Sequence, residues 1–265
     1  MIDNKTIVLT GASSGIGLEV LKLLAMGSGN KILAVSRHAE ERLEGFAPNV
    51  IAFNADVGCK EGVDAVFAKA EELFDKIDIY YNNAGFPYYE VYDNEDWERL
   101  QRIFDTNTLA PAYSYVKYLH HLNGRDGHLA YTISAIGTMA MPGYALYSAS
   151  KFGLQGFQEG IRLEMPKNMK LTCLYPVATD TNFFKVAANG VKFEKPFPVQ
   201  NPCTVARQMV RGIEKGKKKV SPCFLFGVGK VLMTIFPFVR SIYWRLEQKK
   251  LERFVRKTRN TELFK

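Results

Sequence analysis

The chain alternates short apolar runs with stretches in which apolar residues recur every three to four positions. Lys5-Thr-Ile-Val-Leu-Thr10 has the character of a buried strand, and after a glycine-rich turn Leu18, Leu21 and Leu24 recur at helical spacing. Lys31-Ile-Leu-Ala-Val-Ser36 predicts a second strand, and a third ends before Asp56. His128-Leu-Ala-Tyr-Thr-Ile-Ser134 alternates and ends in a hydroxyl, which suits a strand that delivers Ser134 to the carboxyl edge of a sheet. The last strand of this series ends at Tyr175. Helices are predicted near residues 15 to 26, 60 to 75, 95 to 121 and 146 to 165. This order predicts an α/β fold: a doubly wound parallel sheet with helices on both faces, in one domain without repeats or linkers.

The pattern changes after residue 223. Phe224-Leu-Phe-Gly-Val-Gly-Lys-Val-Leu-Met-Thr-Ile-Phe-Pro-Phe238 is strongly apolar, but Lys230 and Pro237 interrupt it and it is shorter than the ~20 residues of a spanning helix. Val239, Ile242, Tyr243 and Leu246 then recur at helical spacing, with Phe254 further along, among Arg240, Arg245, Lys249, Lys250, Arg253, Arg256 and Lys257. The chain therefore divides into residues 1–223 and a basic, apolar helical extension over 224–265.

Charge sharpens this division. From Arg211 to Lys265 there are fifteen Lys and Arg against four Glu, +11 in a chain whose whole balance is +8, so the preceding 210 residues carry −3. An extension of this kind suits an interfacial helix on anionic lipid, a docked solvated helix, a cover for a substrate pocket or a dimer contact. No nucleic-acid recognition module accompanies the charge, so no nucleic-acid partner is expected. At 265 residues and 47% hydrophobic, the chain is large enough for one substantial core. Only about four residues precede the first strand, leading us to expect no secretory signal or amino-terminal anchor and a cytoplasmic protein, with peripheral membrane contact through the basic end. Cys59, Cys173, Cys203 and Cys223 lack paired spacing and are read as reduced. With His38, His120, His121 and His128 they form no metal-ligand pattern, and His120-His121 is read as a helix end.

Two segments carry candidate chemistry. In Gly11-Ala-Ser-Ser-Gly15-Ile-Gly17, between a strand and a helix, glycines let the backbone turn and approach a pyrophosphate, whose charge the following helix end stabilises. Tyr147 and Lys151 lie four residues apart, one turn on the same face of a predicted helix. A free phenol ionises near ~10. A neighbouring cation favours the phenolate and would bring Tyr147 into range for proton exchange, while Ser134 could hold a carbonyl oxygen.

Thr10-Gly11-x-x-x-Gly15-x-Gly17, Asn82-Asn83-Ala84-Gly85, Asn107, Ser134 and Tyr147-x-x-x-Lys151, in this order over residues 5 to about 181, resemble the short-chain dehydrogenase/reductase family. The resemblance implies a single-domain Rossmann fold, hydride transfer between a nicotinamide and a carbonyl or secondary alcohol, and a homodimer or homotetramer. By position, Tyr147 is the acid/base, and Lys151 lowers its pKa and binds the nicotinamide ribose. Ser134 positions the substrate oxygen and Asn107 supports a water relay. The resemblance assigns cofactor contacts to Gly11, Ser13, Ser14, Gly15, Ile16, Gly17, Asn83, Ala84 and Gly85, with Asp56 and Val57 at the adenine. Pro176, Val177, Thr179 and Thr181 fall on the amide and phosphate side. Related chains read Pro-Gly where this one reads Pro176-Val177, so an altered backbone path is expected there.

At the end of the second strand, where an NAD enzyme would carry an acid for the ribose, stand Ser36 and Arg37. An arginine can pair with a 2′-phosphate, so NADP(H) is the expected cofactor. Met139, Met141, Pro142 and Tyr144 lie between Ser134 and Tyr147. A lid at about 182–200 contributes Phe183, Phe184, Phe193, Phe197 and two prolines, and Phe86, Tyr88 and Tyr89 could add a wall. These surroundings suit a bulky apolar ketone or alcohol, such as a hydroxysteroid, a bile acid or a fatty or ketosphingoid ketone. A non-catalytic NADPH-sensing protein is the alternative of another class.

Overall fold

The computed structural model of the protein describes residues 2–93 and 95–262. The extension read over 224–265 therefore ends in three residues that lie outside the described part.

The sheet is built from β1 (Thr6–Thr10), β2 (Lys31–Ser36), β3 (Val50–Asn54), β4 (Ile79–Asn82), β5 (Gly127–Thr132), β6 (Met169–Leu174) and β9 (Lys219–Val220). These strands are all parallel, in the order β3-β2-β1-β4-β5-β6-β9. A two-stranded ladder of β7 (Ala178–Thr179) and β8 (Val199–Gln200) lies apart from it. Strand order reverses between β1 and β4, and the crevice beyond the carboxyl ends at such a switch point is where doubly wound sheets take ligands. Both β1 and β4 end there.

Parallel strands joined by helical crossovers bury both faces, which explains their continuous apolar runs. On one face α1 (Gly15–Ala25) and α8 (Pro202–Glu214) bury Val20, Leu21, Leu24, Val205 and Met209 against Ile7, Leu9, Ile32 and Ala34. On the other, α3 (Lys60–Leu73), α5 (Ala110–Leu122) and α6 (Ala145–Glu164) pack Phe67, Tyr118 and Leu154 against Val8, Leu33, Tyr80 and Leu129. Each fully buried side chain of this size stabilises the fold by roughly 1.5–3 kcal/mol. The short α2 (Ala39–Arg42) follows β2.

The helix expected near 95–121 is divided. α4 (Trp97–Phe104) and α5 are joined by a π-helical turn over Asp105–Leu109, whose wider backbone carries Asn107. His120 and His121 fall in the last turn of α5, as read from sequence. β5 stops at Thr132, so Ser134 stands two residues beyond the strand, at the start of a short 3-10 turn over Ala135–Gly137.

A third apolar cluster sits above the carboxyl edge. It joins Tyr89, Ile136, Tyr144 and Tyr147 to Ala187 and Ala188 of the segment read as a lid and to Phe254. The lid contains α7 (Phe183–Ala187), and Phe254 comes from α10 (Pro237–Glu262), which follows α9 (Phe224–Ile235). Phe193 stacks on Tyr89 with ring centroids 4.1 Å apart, and Phe254 closes on both. Hydrogen bonds tie α10 down, among them Tyr243 to the Phe197 carbonyl, Trp244 to that of Ala140, Lys250 to that of Lys195, and Arg253 to Glu194. The extension thus packs on the lid. The single apolar stripe expected for α10 is split, because Phe254 is buried and Tyr243 half-buried whereas Ile242 and Leu246 are exposed.

Candidate active site

At the switch point lies a cavity of about 520 Å³ that runs from the first turn of α1 to the lid. Ser14 caps α1 without a side-chain hydrogen bond, and the first turn carries no acid, so its backbone N-H groups are open to an anion. Gly17 shows why glycine is needed. A Cβ there would lie 2.1 Å from the Gly11 carbonyl oxygen and 2.5 Å from the Asn83 amide nitrogen. Asn83 knits three strand ends together. Its Nδ2 donates to the Thr10 and Gly11 carbonyls at 3.1 and 3.2 Å, and its Oδ1 accepts from the Thr132 hydroxyl at 3.0 Å. The Thr10 hydroxyl accepts from the backbone N-H groups of Asn83 and Ala84.

At the other end of the cavity, α6 presents Tyr147 and Lys151 on one face. The Lys151 ammonium lies 5.9 Å from the Tyr147 ring centroid and donates to the Thr132 carbonyl at 3.0 Å. A Cβ on Gly85 would lie 2.9 Å from Asn107 Oδ1 and 3.3 Å from Lys151 Nζ, so the two polar groups flank one glycine. Asn107 is fixed by donating to the Phe86 carbonyl and the Ser150 hydroxyl, while its Oδ1 accepts from the Phe86 N-H. Ser134 has φ 142°, a conformation costing roughly 1–3 kcal/mol in a non-glycine residue. Its hydroxyl accepts from the Ile136 N-H at 3.2 Å, donates to the Pro176 carbonyl at 3.4 Å, and lies close enough to Tyr147 to favour its phenolate.

Burial governs the charges here. It pushes the Tyr147 phenol well above its ordinary range, against the opposing hydrogen bond from Ser134, and it pulls the Lys151 amine down to about 7. The lowered phenol expected from the Tyr147–Lys151 spacing is therefore not what this environment produces. Desolvation penalises phenolate and ammonium alike, and both side chains are removed from water. The result is a phenol that stays protonated beside an amine that titrates near neutrality.

The cavity brings together most of the residues singled out in the sequence. Gly11, Ser14, Gly15, Ile16, Gly17, Arg37, Asn83, Ala84, Gly85, Ser134, Tyr147, Lys151, Pro176, Val177, Thr179 and Thr181 all line it. So do Met139, Met141, Tyr144, Phe183, Phe184 and Phe197. Asn107 stands behind Gly85. Four expected cofactor contacts are not on the wall. Ser13 lies off it, and the Ser36 hydroxyl is buried without a partner. Asp56 accepts from the Gly58 N-H ahead of α3, and Val57 opens onto a smaller hollow beside Tyr113. Of the aromatics read as a further wall, Phe86 lines the cavity. Tyr88 lies instead against Arg99, and Tyr89 and Phe193 stack on each other outside it. Val177 does not have a positive φ, in keeping with the conformation its branched side chain allows.

Several wall residues are not marked as site residues by the sequence, among them three brought in by other elements. Arg42 of α2 joins Arg37, and Phe226 and Tyr243 arrive from the extension. A second arginine five residues after Arg37 was a legible hint. Nothing local marked Phe226 or Tyr243, because their place depends on how the carboxyl-terminal helices fold back. Among the described residues, no group of three His, Cys, Asp or Glu is arranged to hold a metal ion.

An α/β sheet with a glycine turn, an open helix end and a buried Ser-Tyr-Lys set at its switch point defines a dinucleotide-dependent oxidoreductase architecture. A family model described as short chain dehydrogenase matches residues 5–191, and the chain belongs to that family of oxidoreductases. It is 32% identical over 193 residues to the oxidoreductase YxnA of Bacillus subtilis, a match spanning 69% of this chain but only 54% of that protein. It is 30% identical over 240 residues to a protein of Mycobacterium tuberculosis named as oxidoreductase SadH, covering 82% of this chain and 86% of that one. An 11-beta-hydroxysteroid dehydrogenase of Pinus massoniana is 27% identical over 240 residues, covering 83% of this chain and 67% of the plant protein. Among solved structures, a short chain dehydrogenase from Burkholderia cenocepacia in complex with NADP superimposes with a TM-score of 0.76 at 21% identity, covering 92% and 98% of the two chains. A 3-ketoacyl-(acyl-carrier-protein) reductase from Brucella melitensis complexed with NADH gives 0.73 at 23%, covering 83% and 96%. At these identities the structures speak for the fold.

Proposed function

We propose that the protein is an NADP(H)-dependent oxidoreductase that interconverts a ketone and a secondary alcohol on a bulky apolar substrate of hydroxysteroid or bile-acid type. The observation that carries this reading is the shared cavity: Ser134, Tyr147 and Lys151 open onto the same space as Met139, Met141, Tyr144, Phe183, Phe184 and Phe197. Support for NADP(H) comes from Arg37 and Arg42 on the cavity wall and from the NADP in the Burkholderia complex. The open first turn of α1 and the close approach at Gly17 suit a pyrophosphate. The name of the Pinus relative supports the hydroxysteroid class. A homodimer or homotetramer, a cytoplasmic setting and peripheral contact of the basic extension with anionic membrane belong to the same proposal.

When bound, the nicotinamide supplies or accepts a hydride. The chain's residues do the rest. The Ser134 hydroxyl donates to the substrate oxygen and stabilises negative charge as it develops. Tyr147, kept protonated by burial, gives its proton to that oxygen in the reducing direction and takes it back in the oxidising one. Lys151, with an amine near neutrality, returns a proton to Tyr147, and Asn107 orients the relay behind it. Aromatic and thioether walls hold the substrate body and exclude water.

A reductase of a membrane lipid ketone such as a ketosphingoid is the second reading, favoured by the exposed apolar side chains of α9. NADPH oxidation against steroids, bile acids, fatty ketones, ketosphingoids and quinones tests both. Turnover confined to steroid and bile-acid ketones bears out the first reading. NADPH binding without turnover of any of them makes the chain a sensor of the dinucleotide.

A further inference from the structure

α9 is amphipathic in the wrong sense for a helix docked on a soluble protein. Phe224, Leu225, Val228, Val231, Leu232 and Ile235 are all exposed and fall within about 120° of arc. The opposite arc holds Phe226, Gly229, Lys230 and Met233, all half-buried. The one charge of the helix therefore faces the body and the apolar arc faces outward. The stripe continues past the turn, where the rings of Phe236 and Phe238 lie 6.0 Å apart, into the exposed Ile242 and Leu246 of α10. Single exposed apolar residues are ordinary on a protein surface, but a patch of this extent marks an interaction site.

Charge selects the occupant. Between Glu214 and Glu247 the chain carries seven Lys and Arg and no Asp or Glu. Lys217, Lys218 and Lys219 are exposed just ahead of α9, and Arg240 and Arg245 just after it. A second copy meeting this face about a two-fold axis would set these cations against their own equivalents. An anionic lipid surface accepts both the cations and the apolar arc. α9 has 12 residues, about 18 Å of helix, which is too short to cross a bilayer, and no helix of the described residues is long and apolar enough to do so.

We propose that α9 and the first turns of α10 lie in the headgroup region of an anionic membrane leaflet and set the mouth of the cavity against it. Phe226 and Tyr243 line the cavity from these same two helices, and Phe197, 65% exposed, lines it from the lid. An apolar ketone then passes from lipid into the cavity between α9, α10 and the lid. This entry route rests on the ketone reading given above; attachment to the leaflet does not.

The test is flotation of the full-length protein with phosphatidylcholine vesicles, with and without about 30% phosphatidylglycerol, at about 0.1 and 0.5 M salt. The compared variant is Leu225→Gln/Leu232→Gln, two exposed positions off the cavity wall. The expected result is at least ten-fold more protein on anionic than on zwitterionic vesicles, weakened by salt and reduced at least ten-fold in the variant. Turnover of a water-soluble ketone stays unchanged in the variant, while turnover of a vesicle-dissolved ketone falls. Attachment is overturned by no lipid-dependent flotation of the unaltered chain, by equal flotation of the variant, or by light scattering that shows the variant turning a dimer into a monomer. Flotation needs no turnover, so its failure and the failure of the ketone reading are read separately.

Discussion

The Lys151 ammonium stands 5.9 Å from the centre of the Tyr147 ring and is anchored to the Thr132 carbonyl at 3.0 Å. One strand end therefore holds the amine beside the phenol. Burial brings that amine down to about 7, so it is an ammonium below neutrality and a free amine above it. In the reducing direction the ammonium form is needed to resupply Tyr147. We predict that kcat/KM for ketone reduction falls as pH rises through about 7, and that Lys151→Met is slow and lacks this titration. A flat profile of the unaltered enzyme between about pH 6 and 9 contradicts the assignment.

Arg37 and Arg42 share the adenosine end of the cavity wall in this reading. Removing either guanidinium, as Arg37→Ala or Arg42→Ala, takes away a charge-assisted hydrogen bond worth about 1.5–3 kcal/mol. KM for NADPH should rise roughly 10- to 100-fold while that for NADH changes less than about two-fold. Equal effects on both cofactors would show that neither arginine reads the 2′-phosphate.

Phe254, 9% exposed, clamps the lid by packing on Tyr89 and Phe193. Truncation in Phe254→Ala removes contacts worth about 3 kcal/mol at a buried site. Limited proteolysis within residues 182–200 should accelerate at least ten-fold. Unchanged cleavage there would mean that α10 does not hold the lid.

His128 is buried, with Nε2 2.8 Å from the Thr172 hydroxyl, and burial, helped by Lys170, lowers its pKa to about 4. The unfolded chain takes up this proton near ~6.5 and the folded chain only near 4, so stability falls as pH drops across that window. The contribution is up to about 3 kcal/mol. Denaturation midpoints measured from pH 7 down to 4 should fall less steeply in His128→Gln than in the unaltered chain, and parallel slopes would refute the assignment.

The strands and the reactive trio were legible because they are local patterns: β2 spans the residues read for it, and Tyr147 and Lys151 share a helix face as their spacing requires. What distant segments decide was not legible. Asn107 owes its orientation to a π-turn inside a stretch with uninterrupted helical periodicity. Phe193 reads as a pocket residue, yet it stacks on Tyr89, more than a hundred residues earlier. The stripe read on α10 divides because Phe254 meets the lid while Ile242 and Leu246 do not. Ser36 buries its hydroxyl next to the wall residue Arg37, and Asp56 turns to the Gly58 N-H, side-chain choices that motif position does not encode.

The central claim is that the Tyr147 hydroxyl carries the proton. Tyr147→Phe keeps the ring, and with it the contact to Phe183 at 5.4 Å, and removes only the oxygen. The direct measurement pairs NADPH binding by fluorescence titration with NADPH oxidation in the presence of a ketone that the unaltered enzyme reduces. Binding within about two-fold of the unaltered enzyme and turnover lowered at least 100-fold are the expected results. Tyr147→Phe turnover within ten-fold of the unaltered enzyme would contradict the claim and require another acid in the cavity.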